Sequence, residues 1–474
     1  AMRHLQALTS GVSRRASIQR QLLPVMLAWF ADGADPDHGL LAFRRVSDAL
    51  GTTHWYLKML RDSGAAAERM AHVLSSGRFV GGLLERAPET VAMLGNDEEL
   101  RPRDRASTIA AVRRVVDRHT GDPRAAAVAA RAVRRREIVR TAIADTVGLV
   151  DLDQVGRALS DAAAAALDGG LRAASARVAT RYGGQLPTRV LVVAMGRLGG
   201  DELGYGSDAD VMFVHDPLPG AVGKDAQDAA MDVVSELRRM LGAPGPEPAL
   251  DVDPNLRPEG RNGPLVRSLA SYARYYERWS SPWEAQALTR AAPIAGDAEL
   301  GDRFVALIDP LRWPGGGIDD AVVREIRHIK ARVESERLPR GADPHRHLKL
   351  GRGSLSDIEW TVQLLQLRYA GRFPGLRTTS TTSGLTAAGE AGLITPADTE
   401  TLLAAWRLAA RVRNATVLWR GVPSDALPAS VRELDGVGRI VGYPPASAGR
   451  LDEDYQRVTR RARAVVERVF YEPS

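Results

Sequence analysis

Apolar positions recur every three or four residues through 1–182, in segments rich in Ala, Leu and Arg, and again from about residue 268 to the end. That spacing lines one face of a helix and predicts two helical regions. Between 187 and 267 the pattern changes to short apolar runs, 190–195, 211–214, 250–252 and 264–266, of the length and bounding that predict strands. Among them Lys224 to Leu241 keeps Ala229, Val233, Leu237 and Met240 in register, which predicts a helix between strands. Turn-forming clusters break the helical regions near Asp32–Gly39, Asn96–Arg103, Gly121–Pro123, Pro310–Gly317, Pro339–Pro344, Thr378–Ser383 and Pro423–Pro428. The pattern predicts an α+β chain in three parts: helices over 1–182, a small sheet-bearing core over 183–267, and helices over 268–474. Trp55, Tyr56, Leu57 and Leu60 read as core, and Ala162–Ala166 as a helix ended by Gly169–Gly170. No internal repeat is visible.

Chemistry concentrates at Arg197-Leu-Gly-Gly-Asp-Glu-Leu-Gly-Tyr-Gly-Ser-Asp-Ala-Asp210, between two of the strand-like runs. Alternation along a strand points Asp208 and Asp210 to one face. Two carboxylates on one face can bridge divalent cations about 3.5–4 Å apart, and Mg²⁺ suits a few carboxylates plus phosphate oxygens. Gly199, Gly200 and Gly206 permit close backbone approach to a triphosphate, and turn amides with the Ser207 hydroxyl can hold its oxygens. A third carboxylate is expected from Asp251 or Asp253, which share a strand face and precede Pro254. Arg257 follows and offers a planar fork to phosphate.

The segment 196–216, with Asp253-x-x-Leu-Arg-Pro258, resembles the glutamine synthetase adenylyltransferase family. So do Trp283-Glu-Ala-Gln-Ala-Leu-Thr-Arg290, Lys349-Leu-Gly-Arg-Gly-Ser-Leu-Ser-Asp-Ile-Glu359, Arg135-Arg-Glu-Ile-Val-Arg140 and the stretch Leu418 to Tyr471, so the resemblance runs from about Ser75 to the end. It implies a DNA polymerase β-like nucleotidyltransferase core with a mixed sheet. It also implies a regulatory N-terminal helical region and C-terminal helices like those of PII uridylyltransferases. Asp208, Asp210 and Asp253 would be the catalytic metal ligands for two Mg²⁺, with Arg197, Gly199, Gly200, Gly206, Ser207 and Arg257 around ATP. Glutamine synthetase would be the protein substrate, and the PII signalling protein and glutamine the effectors. Family members attach AMP in one half and remove it by phosphorolysis in the other. Tyr205-Gly-Ser-Asp-Ala-Asp210 resembles the attaching, C-terminal half, and a single such site suggests one half of a family member. Arg197 stands where many relatives have Lys, Asn255 where many have Arg, and Ser354 where Gly is usual. Trp283, Glu284, Gln286, Arg290, Lys349, Asp357 and Glu359 stay open between site and structural roles. Two other readings remain: phosphorolytic removal of AMP, and a non-catalytic nucleotide-binding helical module.

Composition narrows this further. The chain has no Cys, so no disulfide or thiolate site, which favours a reducing cytoplasm. Nothing resembles a signal peptide or a membrane span. A net charge of +6 invites a nucleic-acid reading, but acids nearly balance bases and aromatics are too few for stacking platforms. The densest basic cluster, Arg131 to Arg140, is expected to be a solvated helix face with i,i+4 pairs.

Overall fold

The computed structural model describes residues 2–10, 14–51, 53–279 and 281–472. It is mostly helical, with one mixed sheet of five strands: β1 (Thr188–Ala194), β2 (Ala209–Pro217), β3 (Val252–Asp253), β4 (Arg267–Ser268) and β5 (Ala292–Gly296). β1 pairs antiparallel with β2 on one side and β5 on the other. The far edge of β2 is shared: its start pairs parallel with β3 and its end parallel with β4. Pro254 cannot donate a ladder hydrogen bond, and β3 ends before it. The apolar runs 250–252 and 264–266 thus yield paired strands one residue or more further along.

Side-chain alternation divides the sheet between two cores. Val190, Val192, Ala194, Val211 and Phe213 face the Leu152–Ala179 and Gly223–Gly242 helices and the N-terminal bundle. Leu191, Val193, Met195, Met212 and Val214 face Tyr272, Leu300, Phe304 and Ile308. A separate core begins at Trp313 and runs to Phe470. Residues 269–308 therefore pack with the sheet, and the separate core is built from residues beyond them.

Three expectations change. The Leu152–Ala179 helix continues through Gly169–Gly170, because both sit at helix crossings. A β-carbon on Gly169 would strike Val112 and Ala130, and one on Gly170 would strike Leu237. Trp55 is 39% exposed, while Tyr56, Leu57 and Leu60 are buried. Most consequentially, Arg131, Arg134, Arg135 and Arg140 are buried rather than solvated. Arg131 donates to the carbonyls of Met240, Glu247 and Pro248, and Arg134 to those of Pro248 and Ala249. Arg135 pairs with Glu247 at 2.7 Å. The Pro- and Gly-rich segment 243–249 has no helix or strand partner for its carbonyls, and the guanidinium groups supply the donors. This segment leads directly into β3.

Candidate active site

The β2–β3 pairing aligns Asp210 with Asp253. Asp208, just ahead of β2, shares a face with Asp210. One carboxylate oxygen from each of the three lies within 4.8 Å of the others. Asp251 lies outside this group, and its carbonyl accepts the Ala209 N–H at 2.8 Å. Burial, then the neighbouring Asp208 charge, push the Asp210 carboxyl up to about 7; Lys349 opposes them, and Asp253 and Glu359 add to the rise. Three converging carboxylates form an all-oxygen donor set whose mutual repulsion a divalent cation relieves, so the residues fit Mg²⁺.

The glycines divide into distinct roles. Gly196, not among the glycines singled out above, has φ +52, and a β-carbon there would stand 2.5 Å from Asp210 Oδ2. The Gly199 and Gly200 N–H groups are already used within the short Gly196–Gly199 turn of helix, bonding Met195 and Gly196 carbonyls at 2.9 and 3.2 Å. Their missing side chains make room for Arg290, whose carbonyl packs on Gly199 and whose guanidinium packs on Gly200. These two amides therefore face no phosphate. Gly206 is exposed, with φ +71. Ser207 closes the turn: its N–H donates to the Gly204 carbonyl and its Oγ accepts the Gly204 N–H, each at 3.2 Å.

The expected arginines are largely committed. Arg257 donates to the carbonyls of Gly263, Pro254 and Arg261 at 3.0, 2.8 and 3.2 Å, so it holds the loop after β3 rather than presenting a fork to phosphate. Arg197 Nε lies 3.4 Å from Glu359 Oε1, its guanidinium stacks over Trp406, and its Nη2 is buried without a partner.

Both helical regions grip the turn between β1 and β2. From the N-terminal side, Tyr205 donates to Asp145 at 3.0 Å, the Ser160 hydroxyl accepts the Leu203 N–H at 3.3 Å, and Arg105 bridges Asp161 and Asp201. Burial pushes the Asp145 carboxyl up to about 6, partly offset by the Tyr205 hydrogen bond. From the C-terminal side, Glu202 accepts the Thr381 N–H at 2.5 Å and the Thr381 and Ser380 hydroxyls, and pairs with Arg290. Glu359 lies 3.7 Å from Arg290.

Of the residues left open by sequence, Glu284 caps its own helix with Ser281 and accepts from Tyr275, and Gln286 bonds Gln363. Asp357 is buried with Lys330, Arg463 and the Gly353 N–H, inside the C-terminal core and apart from the triad. Lys349 acts electrostatically on Asp210. Sequence reading missed Glu202, which lies inside the recognised motif, and Arg413 and Asn414, whose side chains approach Gly204, with Asp425 bonded to Arg413; these last three carry no local pattern.

A family model described as glutamate-ammonia ligase adenylyltransferase matches residues 67–306, about half of the chain. A second, GlnD PII-uridylyltransferase, matches residues 327–470. The interval between the two matches straddles the start of the separate C-terminal core. The curated relatives include proteins named bifunctional glutamine synthetase adenylyltransferase/adenylyl-removing enzyme. The one from Streptomyces coelicolor is 57% identical over 99% of this chain and 48% of its own length. Those from Leifsonia xyli and Mycobacterium avium are 52% and 50% identical, over 46% and 48% of their own lengths. The chain thus spans about half the length of the curated relatives it matches.

Proposed function

Because this chain belongs to the glutamate-ammonia ligase adenylyltransferase family, we propose that it transfers AMP from ATP to a tyrosine hydroxyl of glutamine synthetase and releases pyrophosphate. The carrying observation is the convergence of Asp208, Asp210 and Asp253 beside the Gly204–Ser207 turn. The core is of the DNA polymerase β-like nucleotidyltransferase type, and residues 1–182 and 268–474 flank it, with β5 lent to the sheet from the second region.

Asp208 and Asp210 would hold two Mg²⁺, and Asp253 would complete the ion nearer the nucleophile. When bound, such ions polarise the α-phosphate and neutralise charge on the leaving oxygens. The chain's own groups do the rest. A phenol with pKa about 10 must lose its proton to attack. Asp253 accepts that proton, a contribution of roughly 10²–10⁴-fold for a positioned base. Ser207 and the exposed Gly206 backbone orient phosphate oxygens. Arg257 has no part in this, its donors being spent on its own loop. The PII signalling protein and glutamine are the proposed effectors, acting through the two helical regions that grip the turn.

The relatives' printed names also carry the removing activity. The Gly206 form of Tyr205 to Asp210 favours attachment. Incubation with glutamine synthetase and α-labelled ATP tests the reading: label should enter the protein and vanish in Asp208→Asn. Undiminished labelling by that variant would remove the site assignment. Phosphate-dependent ADP release from adenylylated glutamine synthetase, without ATP-dependent labelling, would reverse the direction.

A further inference from the structure

The C-terminal region places Arg413 against the catalytic turn and Lys349 within electrostatic reach of Asp210, and neither pairs with the acidic triad. Arg413 lies on the Pro396–Arg420 helix, its side chain 12% exposed. Its Nε donates to Asp425 Oδ1 at 2.6 Å. Its Nη1 stands 3.4 Å from the place a β-carbon on Gly204 would occupy, and Asn414 Oδ1 stands 2.6 Å from the same place. A side chain at 204 would displace the Asn414 amide and crowd the Arg413 guanidinium. Neither Nη1 nor Nη2 has a hydrogen-bond partner among the described residues, although Nε is fixed.

Lys349 reaches the same region by another route. The backbone on either side of Asp425 pairs with the segment before Lys349: the Leu348 N–H donates to the Asp425 carbonyl at 2.6 Å, and the Leu427 N–H to the Arg346 carbonyl at 2.9 Å. The Lys349 side chain is exposed and makes no ion pair among the described residues. Its charge is felt by both Asp210 and Asp425. Asp425 thus organises both cations: through its carboxylate for Arg413, through its backbone for Lys349. Neither cation comes within the 4.0 Å of an ion pair to Asp208, Asp210 or Asp253 among the described residues. Lys349 acts on Asp210 from beyond ion-pair distance, and Ser207 Oγ stands 3.6 Å from the same Gly204 position that Arg413 approaches. Cations set near, but not on, a carboxylate cluster suit a polyanion whose oxygens meet the cations at one end and carboxylate-held metal at the other.

We propose that Arg413 and Lys349 form the receptor for the β- and γ-phosphates of the nucleotide, with Asp425 as the residue that positions them. The inference rests on the adenylyl-transfer reading above. In that reaction the tyrosine oxygen bonds the α-phosphorus, the bond from that phosphorus to the α,β-bridging oxygen breaks, and the electron pair leaves with pyrophosphate. The phenolic proton goes to Asp253. Negative charge grows on the pyrophosphate oxygens, where a guanidinium fork and an ammonium are effective donors.

Calorimetric titration with Mg²⁺-pyrophosphate, Mg²⁺-ATP and AMP tests this on the full chain and on Arg413→Ala, Lys349→Ala and Asp425→Asn. Arg413→Ala should weaken pyrophosphate and ATP binding alike by roughly 10–100-fold, the loss expected for charge-assisted hydrogen bonds, and leave AMP nearly unchanged. Lys349→Ala should weaken the same two ligands, and Arg413→Lys should restore only part of the loss. Combining Asp425→Asn with Arg413→Ala should cost less than the two separate losses together, because one acts through the other. Unchanged pyrophosphate binding in both alanine variants overturns the receptor. So does an equal loss for AMP and pyrophosphate, which marks a purely structural role. If the wild-type chain binds pyrophosphate through these residues yet never labels glutamine synthetase, the receptor stands and the choice of protein substrate fails.

Discussion

Gly196→Ala isolates how tightly the backbone frames the triad. Gly196 has φ +52, a conformation that costs an L-residue about 1–2 kcal/mol. The second cost is local. The new methyl would lie 2.5 Å from Asp210 Oδ2 and 3.3 Å from its Cγ, whereas ordinary contact needs about 3.5 Å. Either the carboxylate withdraws by about 1 Å or the 196–199 turn does. The turn is held: the Gly199 N–H bonds the Met195 carbonyl at 2.9 Å, and the Arg290 carbonyl packs directly on Gly199. The carboxylate is therefore the part that moves, and a misplacement of about 1 Å in a reacting constellation costs roughly 100-fold in rate. Gly220→Ala is the matched control. Gly220 has φ +79 and nothing within 4 Å of the added carbon. Both variants should lose about 1–2 kcal/mol in urea unfolding. Only Gly196→Ala should lose roughly 100-fold in AMP transfer from α-labelled ATP, together with Mg²⁺ affinity by calorimetry. Equal stability loss with transfer rates agreeing within roughly threefold would refute the idea that Gly196 is there for Asp210.

Three further outcomes follow from the same geometry. Arg131→Ala strips three carbonyls of a buried charged donor and should destabilise the chain by about 2–4 kcal/mol in urea unfolding; a change near zero would return this arginine to the solvated surface. Asp357→Asn takes from Lys330, 1% exposed, its buried partner and leaves Glu334 at 2.9 Å as its remaining ion pair, and should cost about 1–3 kcal/mol in urea unfolding. Burial raises the Asp357 carboxyl, but Lys330, the Gly353 N–H and Arg463 outweigh it and hold it below the ordinary value. Its stabilisation is then present above the unfolded pKa of about 3.9 and lost as pH falls through the lower folded value, so wild type and variant should converge in acid. Asp210, at about 7, has the opposite sign. In the metal-free chain its contribution is present below the unfolded value and lost as pH rises through about 7. Mg²⁺ must displace that proton, so apparent affinity should fall about tenfold per pH unit below 7, with proton release seen by calorimetry in buffers of different ionisation enthalpy. A pH-independent affinity between 5.5 and 7 would contradict it.

The acidic cluster was legible in the sequence because its determinants are local. Two carboxylates at i and i+2 share a strand face whatever surrounds them, and the helical and strand-like stretches follow from periodicities of 3.6 and 2. Asp253 against Asp251 was not decidable from spacing alone. The β2–β3 register sets Asp253 opposite Asp210, and the segment leading into β3 is held by Arg131 and Arg134 from a distant helix. Those arginines read as a solvent-facing stripe because burying a guanidinium is costly without partners, and the partners are carbonyls more than 100 residues away. The same distance hid the meaning of the glycines. Gly199 and Gly200 looked like phosphate-binding backbone, yet their φ and hydrogen bonds are ordinary for a helical turn; only the arrival of Arg290 explains them. Arg413 and Asn414 belong to no motif, since what places them against Gly204, with Asp425 on Arg413, is the packing of a separate helical core. Sequence fixes which groups can do chemistry and which faces must be buried. Tertiary structure decides which distant groups meet, because a contact between remote segments depends on the summed packing of everything between them.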